Sequence, residues 1–155
     1  MVLSDSTRYE ADDDPRRIDL EVVWRFLSTE AYWNRWRTRS DVEHQVHSAW
    51  RVVGVYEKSD GAMVGFARAF SDGVSDAYLG DMFVLPQHRG QGLSKKLLAK
   101  MIDDGPGRSF RWMLVTSDAH GLYSQFGFKA PDQRMMVRQP ESRSCRESEL
   151  TVDLP

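Results

Sequence analysis

The sequence predicts an α/β (α+β) fold, with a mixed, mostly antiparallel central sheet flanked by helices. Three observations predict it. Trp50 to Tyr56, Met63 to Phe70 and Ala77 to Leu85 are rich in β-branched and aromatic residues, and are joined by Lys58-Ser59-Asp60-Gly61 and Ser71-Asp72-Gly73, which have the composition of hairpin turns. Gln91 to Asp103 carries Leu93, Leu97, Leu98, Met101 and Ile102 at spacings that share one stripe of a helix. The full order is strand, helices, three antiparallel strands, helix, strand, helix, strand, which implies a sheet covered by helices on both faces.

Thr7 to Glu10 reads as a short first strand. From Asp19, the apolar residues Leu20, Val23, Trp24 and Leu27 recur at helical spacing, and Ser28-Thr29-Glu30 separates them from a second, aromatic helical piece, Ala31 to Arg37. Ser40 followed by Glu43 makes a capping box for a helix from Asp41 to Ala49. After the three-strand meander, Pro86 ends the third strand because it has no N–H for a ladder. Gly105-Pro106-Gly107 stops the Gln91 to Asp103 helix. Trp112 to Thr116 is then a strand, Asp118 can cap a helix from Ala119 to Phe126, and Gly127 suits the left-handed position beyond it. A last strand is expected around Arg134 to Arg138. Residues 1–138 thus form one domain, and 139–155 are expected to form a polar, mobile tail with few residues able to anchor it.

Composition narrows the function. A chain of 155 residues suits one core, and a net charge of -2 argues against nucleic acid as a partner. Met1 to Asp14 is polar and acidic where a signal peptide needs a basic start and an apolar run, and no stretch approaches the ~20 apolar residues of a membrane span, so a cytoplasmic protein without membrane partners is expected. Cys145 is the single cysteine, which excludes an internal disulfide and a cysteine metal site. His44 and His47 share a helix without a carboxylate cluster of ligand spacing, so no metal is proposed.

Between the third strand and the next helix stands Gln87-His88-Arg89-Gly90-Gln91-Gly92-Leu93-Ser94. The unpaired N–H groups and the positive dipole end of a helix start attract phosphate, glycines let it approach the backbone, and Arg89, with Lys95 and Lys96, adds charge. An ordinary turn that needs glycine only for its geometry is the plainer alternative. A Walker A loop is absent, because Lys95 follows Ser94 and no glycine stands five residues before Gly90; the dinucleotide fingerprint fails because position 95 is lysine.

On these residues the chain resembles the GNAT superfamily of N-acetyltransferases, whose pyrophosphate loop reads Arg/Gln-x-x-Gly-x-Gly/Ala after a Val-x-Pro-like strand end. Val84-Leu85-Pro86 and Arg89-Gly90-Gln91-Gly92-Leu93-Ser94 are similar to it, with Ser94 where the family prefers Gly or Ala. Leu122-Tyr123-Ser124-Gln125-Phe126-Gly127-Phe128 resembles the family's Tyr-x-x-x-Gly-Phe region. The resemblance covers residues 7 to 138 and implies acetyl-CoA as cosubstrate, its pyrophosphate on residues 89–94. Its pantetheine would enter a V-shaped opening between strands ending near Val84 and Thr116, pairing with the backbone of Met82, Phe83 and Val84. Thr116 and Asp118 complete the implied coenzyme contacts, Asp118 alternatively being only the helix cap.

Acetyl transfer to an amine needs a neutral nucleophile, oxyanion stabilisation and a proton for the thiolate. Tyr123 is the candidate acid by its resemblance to family tyrosines that face the sulfur; its alternative role is packing. Asp81 lies in an otherwise apolar strand, where a carboxylate must be solvated or paired. It is a base with a pKa raised by burial, an anchor for the amine's charge, or the partner of a structural arginine. Tyr32, Trp33 and Trp36 line the acceptor pocket in the family's layout, or are core. His120 is placed near the site. The expected function is N-acetylation of a small-molecule primary amine in a ternary complex, with homodimerisation left open. The alternatives are a catalytically silent acyl-CoA-binding module and a protein N-terminal or lysine acetyltransferase.

Overall fold

A computed structural model describes residues 8–141. Five strands form one sheet in chain order: β1 (Tyr9–Asp12), β2 (Arg51–Glu57), β3 (Met63–Ser71), β4 (Asp76–Val84) and β5 (Arg111–Met113). β1 to β4 are antiparallel neighbours, and β5 runs parallel to β4. Between β1 and β2 stand α1 (Leu20–Thr29) and α2 (Arg39–His47). α3 (Leu93–Leu98) follows β4 and runs on into a π turn over Ala99–Asp103, and α4 (His120–Ser124) follows β5.

The sheet separates two apolar layers. On one face Val53, Val55, Val64, Ala67, Ala69 and Leu79 meet Leu93, Leu97, Leu98 and Met101 of α3 and its extension. On the other, Val52, Tyr56, Phe66 and Phe83 meet Val23, Phe26 and Leu27 of α1 and Val42 and Val46 of α2. Leu97 and Leu98 are completely buried, and each contributes about 1.5–3 kcal/mol of apolar transfer free energy. The expected sheet with helices on both faces is therefore present.

β4 carries a bulge that rearranges its faces. Phe66 pairs with Phe83 and Arg68 with Gly80, so Asp81 and Met82 together oppose Ala67. Asp81 takes φ 51°, a left-handed conformation that costs a non-glycine residue about 1 kcal/mol. Leu79, Met82 and Val84 consequently pack on the α3 side, while Asp81 and Phe83 point to the α1–α2 side. β5 meets β4 only at Asp76 to Tyr78, paired with Arg111 to Met113. Beyond Tyr78 no strand among the described residues pairs with this edge of β4, and the two strands part.

Several expectations are corrected. Ala31 to Arg37 is not a helix: α1 ends at Thr29, Asn34 takes φ 52°, and Trp33 and Arg37 are drawn inward to Asp81. The capping box of α2 is Thr38 with Asp41 instead of Ser40 with Glu43, because Thr38 holds the extended cap conformation and Glu43 is engaged by Arg39. Trp112 to Thr116 is a strand only as far as Met113. Arg134 to Arg138 forms no strand: Arg134 folds back onto Asp132 through its N–H and guanidinium, and Met135, Met136 and Val137 remain exposed. Thr7 of the first strand and residues 142–155 of the tail, Cys145 included, lie outside the described residues. Among the described residues no helix is long and apolar enough to cross a membrane.

Candidate active site

The diverging ends of β4 and β5 open onto the turn before α3. Leu85 donates its N–H to the Val64 carbonyl of β3. Peptide groups alternate along a strand, so beyond the bulge the N–H and C=O of Val84 face the free edge, and those of Phe83 face β3. Of the three backbone positions expected to serve a ligand, Phe83 is thus turned away, its ring stacked on Phe26 at 4.0 Å. The Val84 carbonyl accepts from Arg89 Nε at 3.0 Å, which ties the turn to the strand end.

Gly90 and Gly92 have φ of 77° and 75°, and a Cβ at either would meet nothing within 4 Å. They form an open cradle. Among the described residues, no protein acceptor takes the backbone N–H groups of Gly90, Gln91, Gly92, Leu93 or Ser94. These donors frame a hollow of about 150 Å³ walled by Val84, His88, Arg89, the glycine turn, Lys95 and Leu122. Free N–H groups, a helix start and flanking cations form the donor set that a pyrophosphate requires. Gln91 bonds His88 through its side chain, and the Leu93 side chain is in the core, leaving its N–H as its offering. Lys96 is directed elsewhere, its Nζ donating to the Tyr9 carbonyl. His88 was missed by sequence reasoning; its Nδ1 meets Tyr9 Oη at 2.9 Å, and the wide spacing from Tyr9 to His88 carried no signal.

Further along the free edge, Tyr123 Oη lies 3.8 Å from Met82 Sδ. Burial, then Asp118 and Tyr32, push the Tyr123 phenol up to about 12, so it holds its proton at neutral pH. Across the mouth, Tyr32 Oη donates to Asp118 Oδ1 at 3.0 Å and accepts from Ser117 Oγ at 2.8 Å. This bridge links the α1–α2 loop to the β5–α4 loop. Asp118 is not the cap of α4; Thr116 Oγ1 instead accepts the N–H groups of Asp118 and Ala119. His120 is exposed. The structure therefore brings Tyr32, Asp118, Tyr123 and Met82 together, and leaves Trp36 half-buried with its indole N–H on Asn34.

Asp81 occupies a different environment from that of a base. Its side chain is 2% exposed and accepts from Arg37 Nη1 at 2.6 Å and Nη2 at 2.8 Å, Arg68 Nε at 2.7 Å and Trp33 Nε1 at 2.8 Å. Desolvation pushes its pKa up, but the two guanidinium groups outweigh it and hold the carboxyl below its ordinary value. The pKa raised by burial is overturned, because the arginines supply the charge that burial alone would penalise. Trp33 belongs to the same cluster through its N–H. Sequence reasoning included an arginine partner but did not single out Arg37 or Arg68.

Residues 17–128 match the model of the acetyltransferase (GNAT) family. A GNAT-family acetyltransferase of Xanthomonas campestris pv. campestris is 36% identical, with a TM-score of 0.78 over 85% of this chain and 93% of that one. A Gibberella zeae protein named as an acetyltransferase is 24% identical over 76% of each chain. An acetyltransferase of Deinococcus radiodurans, at 18% identity, shares the fold with a TM-score of 0.64 over 89% of this chain and 94% of its own. With its splayed β4 and β5, its glycine turn and this family match over most of its length, the chain belongs to the GNAT acetyltransferase family.

Proposed function

We propose that the protein moves an acetyl group from acetyl-CoA to the primary amine of a small molecule while both are bound. The observation that carries this reading is the continuity of the cradle at Gly90 to Ser94 with the free edge of β4, which leads from a phosphate-binding turn to Tyr123. The residues fit the coenzyme. The N–H groups of Gly90 to Ser94, with Arg89 and Lys95, hold the pyrophosphate, and the peptide groups of Met82 and Val84 hold the pantetheine amides. Acetyl-CoA would supply a thioester, so that transfer forms a C–N bond to the neutral amine and breaks the C–S bond, the nitrogen giving up one proton and the departing thiolate taking one up.

Tyr123 Oη, kept protonated by burial, donates to the departing sulfur as charge develops there, and the proton it gives is replaced by the one that the acetylated nitrogen releases. The bulge at Asp81 turns Met82 to the edge, and Arg37, Arg68 and Trp33 fix the bulge. Asp81 is thus a positioning residue. Tyr32, Ser117 and Asp118 border the mouth by which the amine enters, and its ammonium loses a proton to water there. No cysteine lies among the described residues to carry the acetyl group, which supports direct transfer.

The test is thiol release from acetyl-CoA with a panel of small amines, run beside thermal unfolding with the coenzyme alone. A coenzyme at a hundred times its Kd should stabilise the fold by about 2.7 kcal/mol, and at least one amine should release thiol. Stabilisation without thiol release across the panel identifies a silent acyl-CoA-binding module instead. No stabilisation refutes the reading.

A further inference from the structure

The cluster around Asp81 does not balance. Arg37 and Arg68 are both buried and share one carboxylate, leaving one positive charge in excess. Arg37 engages all three of its nitrogens, with Nε on the Asn34 carbonyl, Nη1 on Asp81 and Gln45, and Nη2 on Asp81. Arg68 engages only Nε. Its side chain is 10% exposed, and its two Nη groups have no acceptor among the described residues. The buried side-chain atoms without a partner there are Arg51 Nε and Tyr56 Oη, so the free Nη groups of Arg68 are the part that reaches solvent.

Gly80 keeps that approach open. It stands opposite Arg68, and a Cβ there would lie 3.4 Å from Nη2 and 3.5 Å from Cζ. Its φ is not in the left-handed range, and without a side chain it leaves the face of the guanidinium uncovered, where a Cβ would rest in van der Waals contact. Beside it on the same face, Phe70 and Tyr78 stack at 4.9 Å, with Phe70 half exposed. Gly80 and Asp81 immediately precede Met82, whose Sδ lies 3.8 Å from Tyr123 Oη.

We propose that Arg68 receives a carboxylate of the acceptor, so that the substrates are amino acids or amines of the same kind, with the carboxylate a few bonds from the reacting nitrogen and the Phe70–Tyr78 pair beneath the remainder. The inference rests on the acetyl-transfer reading above. The planar Nη pair matches a carboxylate bidentately, and the excess charge makes an anion the ligand that neutralises the cluster. Asp118, whose charge acts on the Tyr123 phenol, carries the opposite sign for the ammonium end.

The experiment compares thiol release for the twenty common L-α-amino acids with that for their amides, in the wild type, Arg68→Gln and Gly80→Ala. The expected result is at least one acid with kcat/KM at least tenfold above its amide, a preference that Arg68→Gln abolishes through KM while the thermal shift with acetyl-CoA persists. Arg68→Gln removes the excess buried charge and leaves Arg37 and Trp33 on Asp81 to hold the bulge, so its fold is expected to survive; should it not, Gly80→Ala sets a methyl against the same guanidinium, 3.4 Å from Nη2, and must reduce the preference. Amides used as well as acids, a preference unchanged in the variant that folds, or no acid acetylated by a protein that binds acetyl-CoA would each overturn the proposal. A protein that does not bind acetyl-CoA fails the underlying reading instead.

Discussion

The turn at Gly90 to Ser94 and the cluster at Asp81 lie at the two ends of one strand's free edge, and they are built on opposite principles. The turn offers backbone donors that no acceptor among the described residues takes, held open by two glycines. The cluster gathers four side-chain donors from Arg37, Arg68 and Trp33 onto one buried carboxylate, and leaves only the Nη groups of Arg68 outward. The unfilled turn awaits a ligand, whereas the carboxylate at the centre of the cluster is filled and sets the shape of the strand. Substitutions in the turn should therefore alter binding, and those at Asp81 stability.

The largest effect is expected from Asp81→Asn. It leaves two arginines without a carboxylate, and breaking a buried pair of this kind costs about 3–5 kcal/mol, read as a fall in the denaturation midpoint. The sign with pH follows from the depressed pKa of Asp81: its contribution is fully present above the unfolded carboxylate value and is lost as pH falls through the lower, folded one. The gap between wild type and Asp81→Asn should accordingly be constant near neutrality and narrow only in acid. A gap that is absent at neutral pH would remove the structural role.

Tyr123→Phe comes next. Loss of a positioned acid lowers kcat by about a hundredfold, with the acetyl-CoA affinity retained. Because the phenol is pushed up to about 12, the wild-type rate should show no decline from Tyr123 ionisation up to about pH 11. Full activity in the variant would return Tyr123 to a packing role.

How much of this was legible in the sequence differs between the two regions for the same reason. The turn is local: Arg89 to Ser94 is contiguous, and its glycines and the preceding Pro86 announce their conformation. The antiparallel meander was equally readable, since β2, β3 and β4 alternate or run apolar between Asp-Gly turns. The cluster is nonlocal. Arg37, Arg68 and Asp81 come from a loop and two strands, and the left-handed bulge that unites them has no signature in Gly80-Asp81-Met82. Ala31 to Arg37 misled for a related reason, since aromatic residues at helical spacing were there to reach inward from a loop. Arg134 to Arg138 misled because a strand-like composition forms a strand only where an edge receives it.

Two smaller effects refine the contrast. Gly92→Val places a β-branched residue at φ 75° and fills the cradle, and loss of one charge-assisted hydrogen bond of about 1.5 kcal/mol should raise the acetyl-CoA Kd roughly tenfold, by titration calorimetry. Tyr32→Phe removes the exposed bridge to Asp118 and Ser117 and should change stability by about 0.5–1 kcal/mol, with the greater change in KM for the amine. An acetyl-CoA affinity that falls more in Tyr32→Phe than in Gly92→Val would invert the assignment of the two regions.

The most direct measurement of the central claim is residue-resolved amide hydrogen exchange with and without acetyl-CoA. The account predicts slowed exchange at the N–H groups of Met82, Val84 and Gly90 to Ser94, with Phe83 unchanged because it already faces β3. Unchanged exchange at Gly90 to Ser94 under saturating acetyl-CoA would contradict it.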